Sequence, residues 1–394
     1  MHRRIFYWMI LNLSLRGVGG FVRLTAGKKH SYYYCCVNNN CHWTTMSSKR
    51  SLTTTNDPVQ QNTNKKIKSS TSTESTTATA LFGSLSIVTY NVAMAQPSKQ
   101  APSDWSMHET SQALRREILQ HQPDILALQE CPSPEWPTNT FGHDDNDEDA
   151  YQCVGTPQLS HCGYVALLVH KKKVLEKYEC SAIPLIPPSL PMVLMRLEPK
   201  KSQATDPPRR SSVFIASCHL APFKEGAPVR FAQLQALCRQ TTTETPQSLL
   251  IVAGDMNMRA PEEKAVEQRL QLADAWKEQQ PKEANKTKAS ASSAGKIKSK
   301  SKTKSTHHPP IANKFTWNSF VNKYHGSDAF SFKARFDRIY FHRNAAHDDD
   351  SPKPCLQVPS FQLVGNEAIV QGSHKFYLSD HFGIAATIQA TNWK

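Results

Sequence analysis

The chain has 394 residues, 25 of them proline, with 47 Lys and Arg against 33 Asp and Glu for a formal charge of +14. That length admits two domains, but the proline content and long polar tracts point instead to one domain of moderate to large size carrying segments that do not fold. The basic excess favours a polyanionic partner, either nucleic acid or an acidic membrane surface, without choosing between them, and the 10 cysteines lack the paired C-x-x-C spacing of a structural zinc site.

Residues 1–56 contain no Asp or Glu and open on MHRRIFYWMILNLSLRG, in which Arg3 and Arg4 precede an apolar run too short to span a bilayer comfortably. Such a start reads as a signal-peptide core, an organelle presequence, or a merely hydrophobic tail. Cys35, Cys36, Cys41 and His42 match no zinc template. Residues 44–80 are rich in Ser and Thr, carry the basic cluster KKIK at 65–68, and hold too few large apolar side chains to offset the entropy of ordering. Residues 1–83 are therefore expected to form a disordered basic segment, and 84–394 the folded domain.

From residue 84 the character changes. SLSIVTYNV reads as a strand, 107–121 as a helix and DILALQE as a second strand, followed by strands at YVALLVH, VLMRLEP and SVFIASCHL. A helix is expected at 228–240, a strand at SLLIVAG and a helix at 262–272, then strands at KFTWNSF, ARFDRIYFH, FQLVG and LSDHFGIAATIQA. Strands outnumber helices and several are consecutive, so a mixed-sheet sandwich covered by helices is the economical architecture. Polar, aperiodic insertions at 143–149, 201–212 and 281–310 read as surface loops, the last long and basic. Cys131, Cys180, Cys218 and Cys238 lie in or beside the apolar segments, as reduced core thiols do, so a reducing compartment is expected.

The strands end in polar residues. SIVTYN closes on Asn91, DILALQE on Glu130, SVFIASCH on His219 and LLIVAGDMN on Asp255 and Asn257, while RFDRIYF carries Asp337 and LSDH places Asp380 and His381 before the last strand. One such ending is turn chemistry. So many placed without purpose would carry a desolvation cost of roughly 1–3 kcal/mol each. Glu130, Asp255, Asn91, Asn257 and Asp380 offer hard oxygen ligands suited to Mg2+ or Mn2+. His219 and His381 can donate to phosphate oxygens. No P-loop, G-x-S-x-G or dinucleotide fingerprint competes, and metal-assisted hydrolysis of a phosphate ester is the expected reaction.

The ordered set T-Y-N (89–91), L-Q-E (128–130), S-C-H-L (217–220), G-D-M-N-M-R (254–259), R-F-D-R-I (335–339) and S-D-H (379–381) resembles the endonuclease/exonuclease/phosphatase superfamily over roughly residues 84–390. Within it the tyrosyl-DNA phosphodiesterase 2 branch is the nearest likeness, supported by D-x-W at Asp274–Trp276 and R-x-x-Q-L at Arg230, Gln233 and Leu234. The resemblance implies a four-layer α/β sandwich of the deoxyribonuclease I type, two packed mixed sheets flanked by helices. It implies Glu130 as the main Mg2+ ligand (Mn2+ as the alternative), with Asn91 beside it and Asp380 binding through water. Asp255 would orient and deprotonate the attacking water, and Asn257 would fix that water or the phosphate. His381, oriented by Asp337, would stabilise phosphoryl charge, and His219 would contact phosphate. Arg259 and Arg335 would grip DNA and Trp317 would line the groove, although an arginine can equally be an ion-pair partner and a tryptophan core.

The substrate implied is DNA with a 5′-phosphotyrosyl end bearing a topoisomerase-derived peptide, acted on by a monomer with no stable membrane association. Tyr90 stands where Trp is more usual, Ala260 where an acid is expected, and Ala221-Pro222 where Glu-Ser would sit. These departures flank the chemistry and bear on substrate choice. An abasic-site endonuclease, a deadenylase, an inositol-polyphosphate phosphatase, a secreted nuclease and a catalytically inactive nucleic-acid-binding protein remain as rival readings. A nuclear address fits DNA repair, and the acid-free start permits a mitochondrion or plastid.

Overall fold

The computed structural model describes the strand backbone at 21–26, 30–37 and 40–46, and residues 83–142, 150–200, 212–244, 248–279, 314–326, 331–343 and 355–391. The insertions expected at 143–149 and 281–310, all but the last residue of 201–212, and the KKIK cluster lie outside the described residues. The chain divides into two units, Met1–Ser75 and Thr76–Lys394. In the first, Phe21–Ala26, His30–Val37 and Asn40–Met46 pair as an antiparallel meander, where composition led us to expect no regular structure. Among the described residues no helix is long and apolar enough to cross a membrane.

The larger unit is built on two sheets. One, of seven strands, runs Cys355–Val364, Gly383–Thr391, Ser84–Asn91, Ile125–Cys131, Tyr164–His170 and Tyr151–Cys153, with Gln158–Leu159 pairing on Tyr164–His170. The other, of six, runs Leu272–Asp274, Asp337–Arg343, Leu249–Asp255, Val213–His219, Met192–Pro199 and Tyr178–Ile183. In each, the central pair is parallel and its outer neighbours antiparallel, so both sheets are mixed as expected.

Three apolar layers follow from the alternation of side chains along these strands. Ile87, Ile125, Leu167, Ile215, Ile251, Ile339 and Ile384 point inward and fill the space between the sheets. Val88, Tyr90, Leu126 and Leu168 point outward against the Met107–Leu119 helix, and Phe214, Leu250 and Val252 against the Ala227–Glu244 and Ala260–Arg269 helices. Strands buried on both faces read as continuous apolar runs, which is why LLIVA and DILAL lack a polar alternate. The result is a helix–sheet–sheet–helix sandwich.

Most expected elements are present, with informative shifts. The Met107–Leu119 helix starts at a capping box, Ser106 Oγ accepting from the Glu109 amide. The helix expected at 262–272 spans Ala260–Arg269, because Pro261 suits a helix start and Gln271 takes a left-handed φ of 54°. Leu272–Asp274 then becomes an edge strand on Asp337–Arg343. KFTWNSF yields only the short strand Trp317–Asn318, and the last strand begins at Gly383 rather than within LSDH.

Arg335 corrects one expectation outright. It is 7 % exposed, with its guanidinium bonded to Asp274 and 3.1 Å from Glu263. Arg338 joins the same two acids at 3.1 and 2.8 Å. The side chain expected to grip DNA is thus a buried ion-pair partner, and the D-x-W aspartate is its counterion. Burial acts to raise Glu263, but Arg338, Lys277 and Arg335 outweigh it and hold the carboxyl down to about 2.

Gly254 sets where the Leu249–Asp255 strand delivers its acid. Its φ is +152°, and a Cβ there would lie 2.0 Å from the Cys218 carbonyl oxygen in the neighbouring strand.

Two predictions follow from these positions. Gly254→Ala should destabilise the domain by about 3 kcal/mol or more, the upper range for a single substitution; an unchanged urea midpoint would contradict the close approach. Because the Glu263 pKa is depressed, its stabilisation is complete above the ordinary value of 4.5 and disappears as pH falls toward 2. Glu263→Gln should therefore flatten the loss of stability in that acid window, and acid-titration curves superimposable on wild type would exclude it.

Candidate active site

Strand register gathers the polar ends. In the six-stranded sheet His219 pairs with Asp255 and Asp255 with Asp337, so three neighbouring strands present a row of histidine, aspartate and aspartate. In the facing sheet Asn91 pairs with Gln129, and Glu130 follows at a bulge between Leu128 and Cys131 with φ 53°. A bulge re-aims the side chain it carries. Here it turns Glu130 toward the other sheet.

Asn91 joins the two halves. Its Nδ2 donates to Glu130 Oε1 at 3.0 Å and to Asp255 Oδ2 at 3.1 Å, while its Oδ1 accepts from the Ala93 amide at 3.0 Å. Expected as an oxygen ligand, it instead holds two carboxylates together through its amide nitrogen. His219 Nε2 lies 3.7 Å from Glu130 Oε1 and 3.5 Å from Asp255 Oδ2. His381 completes the cluster: Asp337 Oδ2 is 2.8 Å from its Nδ1, and its Nε2 is 3.7 Å from Asp255 Oδ2. The contact with Asp337 fixes the orientation of the ring. Asp380 pairs with His325 Nε2 at 2.8 Å.

Charge in this cluster is carried by carboxylates and histidines. Burial, then Asp380, pushes Glu130 up to about 7 against the hydrogen bond from Asn91. Burial also acts to raise Asp255, but His381 and His219 outweigh it and hold the carboxyl below its ordinary range. For His381, burial opposes the charged ring, yet Asp337 and Asp255 hold it well above the usual histidine value. Burial drives His219 down to about 3, leaving it neutral at neutral pH.

The remaining expected residues sit around this core. Asn257, at φ 48°, donates from Nδ2 to the Leu220 carbonyl at 3.1 Å, and its amide donates to Asp255 Oδ1 at 2.8 Å. Arg259 lies over the Phe336 ring at 5.6 Å, and Phe336 is 6.2 Å from His381. Trp317 stacks on Phe332 at 5.6 Å and meets His381 edge-on at 5.0 Å. It therefore borders the site, whereas Arg335 does not join it.

Several contributors went unread in the sequence. Gln129 Nε2 donates to Ser217 Oγ at 3.2 Å and contacts Thr89 Oγ1 at 3.3 Å, a polar tie across the inter-sheet core. Both residues lie inside the L-Q-E and S-C-H-L motifs, which was the available signal. The loop before Tyr164 supplies Ser160, 3.1 Å from His219 Nδ1, His161, whose ring lies 3.9 Å from that of His219, and Cys162, whose thiol donates to Glu130 Oε2 at 3.3 Å. No periodicity marks that loop.

Among the described residues, two groups have ligand atoms close enough to hold a metal ion: Glu130 with His219 and Asp255, and Asp255 with Asp337 and His381. The residues fit a divalent cation, since a glutamate pushed up to about 7 by burial and then by Asp380 lacks compensating positive charge. Asp380, expected among the ligands, falls in neither group and is paired with His325.

Comparison with known proteins agrees with this construction. No curated protein matches the chain. A crystal structure of D. rerio TDP2 complexed with single strand DNA product aligns with a TM-score of 0.51 at 18 % identity, covering 78 % of this chain and 99 % of that one. Truncated Caenorhabditis elegans TDP2 aligns at 0.46 and 22 % identity over 78 % and 98 %, and an endonuclease/exonuclease/phosphatase family protein from Bacteroides thetaiotaomicron at 0.46 and 14 % over 77 % and 97 %. At these identities the first likeness is one of fold. The Endonuclease/Exonuclease/phosphatase family model matches residues 88–381, through every strand that carries the cluster, and the chain belongs to that family of phosphoester hydrolases.

Proposed function

We propose that the protein is a divalent-metal-dependent phosphodiesterase that hydrolyses the 5′-phosphotyrosyl bond between DNA and a topoisomerase-derived peptide, acting as a monomer in DNA repair in the nucleus. The observation that carries the hydrolase reading is the convergence of Glu130 and His381 on the row of His219, Asp255 and Asp337 that strand register fixes. The tyrosyl-DNA specificity is supported by D-x-W at Asp274–Trp276 and R-x-x-Q-L at Arg230, Gln233 and Leu234 within the motif set, and the basic excess suits a polyanionic substrate.

Glu130 and Asp255 would hold the ion, Mg2+ or Mn2+. When bound, such an ion draws charge from the phosphoryl oxygens. Asp255 stays ionised and fixed by Asn91 and the Asn257 amide, so it orients the attacking water and accepts its proton. Asp337 and Asp255 favour the charged ring of His381, which suits it to meeting phosphate rather than taking that proton. Its charge, kept in place by Asp337, stabilises the phosphoryl group as negative charge accumulates. Neutral His219 donates a hydrogen bond to the same group. A phenol has a pKa of about 10, so a tyrosyl oxygen leaves with little help from a general acid.

The test is release of tyrosine from a 5′-phosphotyrosyl oligonucleotide with Mg2+, beside abasic DNA, polyadenylate and an inositol polyphosphate. The phosphotyrosyl end should be cleaved fastest, and Glu130→Gln should be silent. Preference for another substrate would leave the fold and cluster standing but end the tyrosyl-DNA reading. Asp255→Asn keeps the shape and removes the proton acceptor, so turnover should fall about 100- to 10,000-fold with DNA binding largely retained. Wild-type turnover in that variant would refute the assigned role.

A further inference from the structure

Phe223 is an outlier on the His219 side of the site. It is 61 % exposed, and its backbone lies at φ 62°, ψ 168°, a region reserved almost wholly for glycine. A phenyl ring this exposed gains little from burial, so packing does not account for the strained backbone.

The loop around it is held firmly. Arg230, fully buried, donates from one terminal nitrogen to the Ala221 carbonyl at 2.7 Å, the Phe223 carbonyl at 2.6 Å and, more weakly, the Pro222 carbonyl at 3.4 Å. Its remaining nitrogens form a bidentate pair with Glu262 at 2.9 and 2.7 Å. Gln233 Oε1 accepts from the Ala221 amide at 3.2 Å, and Glu262 accepts from the Arg259 amide at 3.0 Å. The loop is thereby fixed both to the Ala227–Glu244 helix and to the segment that follows Asp255 and Asn257. Leu220, three residues before Phe223, is bonded to that segment as well, its amide donating to the Asp255 carbonyl at 2.9 Å.

Strand order gives the ring a side. Along the six-stranded sheet Asp255 lies between Asp337 and His219. Trp317, edge-on to the His381 ring that Asp337 orients, belongs to one flank. Phe223 follows His219 by only four residues, within about 14 Å of extended chain, and belongs to the other. The Ala221-Pro222 dipeptide that leads into it is also where the sequence departs from the family pattern.

We propose that Phe223 is a specificity-determining residue, the ring against which the aromatic leaving group packs as its phosphate ester is cleaved. This rests on the phosphotyrosyl reading above. Offset or edge contact between a tyrosyl ring and a phenyl ring carried on a firmly held backbone favours an aryl over an alkyl ester at reduced entropic cost.

Two matched oligonucleotides test it, one with a 5′-phosphotyrosyl ester and one with a 5′-phosphoryl ester of an aliphatic alcohol, using the full chain with Mg2+. Phe223→Ala and Phe223→Gly should each lower the ratio of kcat/KM for aryl over alkyl ester about tenfold, mainly through KM, and Phe223→Trp should restore it. Glycine suits the backbone at this position, so Phe223→Gly should melt no lower than wild type while losing discrimination, a combination that a structural role does not produce. An unchanged ratio in Phe223→Gly overturns the assignment. So does an equal loss on both esters, which would place the ring on the nucleic-acid side. If the wild-type protein itself leaves the phosphotyrosyl ester intact, the phosphotyrosyl reading fails first and this assignment falls with it.

Discussion

Buried negative charge is the constraint around which the site is organised. Glu130, Asp255, Asp337 and Asp380 all act on one another or on the same histidines, and each ion pair they make is with a histidine. Carboxylates taken out of water in this way are costly unless paired and hydrogen-bonded. Histidine offsets that charge only in part, since His381 is held protonated while His219 is driven neutral by its own burial. The deficit shows at Glu130, whose carboxyl burial and then Asp380 push up to about 7. A divalent cation and an anionic phosphate answer the two halves of that imbalance together, one balancing Glu130 and the other meeting His381.

Such a cluster needs a rigid frame, and the two sheets provide it because they are tied where they meet. The Thr89, Gln129 and Ser217 contacts cross a core otherwise filled by Ile, Leu and Val, directly beneath Asn91, Glu130 and His219. Asn91 repeats the tie one layer higher, bonding one carboxylate from each sheet. Just beyond it Ala93, Met94 and Ala95 take φ values of 47°, 58° and 50°, a left-handed turn unusual for residues with side chains. Strain of this kind persists where surrounding contacts over-determine it, and the Asn91 side chain accepting from the Ala93 amide is one such contact.

What could be read from the sequence follows the range of the forces involved. Strand positions were visible because burial on both faces leaves continuous apolar runs, and candidate site residues because Asn91, Glu130, His219 and Asp255 close such runs. The sandwich followed from counting those runs. Roles that depend on a distant partner were not visible. Arg335 looks like a free cation next to the R-F-D-R-I strand, and only the fold brings Asp274 and Glu263 against it. Asn91 offers an oxygen on paper, and only the Ala93 amide shows that this oxygen is already engaged. Ser160, His161 and Cys162 stand in a loop without periodicity, so neither pattern nor motif marked them. The helix end at Arg269 was misplaced because the tertiary pairing of Leu272–Asp274 overrides local helical propensity.

The same distinction separates chemistry from specificity in this protein. The clustered polar groups sit on or beside strands whose register is pinned by the buried faces, where a one-residue slip would turn every side chain to the opposite face. Trp317 and Phe223 instead sit in connections that the sheets do not dictate, one in a short ribbon paired to Lys333–Ala334 and the other in a loop held by Arg230. Such connections can vary in sequence without disturbing the cluster. In the proposed reading, substrate choice then depends less on the motifs that identify the family than on how firmly those two flanks are built. On that measure the His219 flank stands out, because a fully buried arginine is committed to shaping a loop whose most prominent feature is one solvent-facing ring.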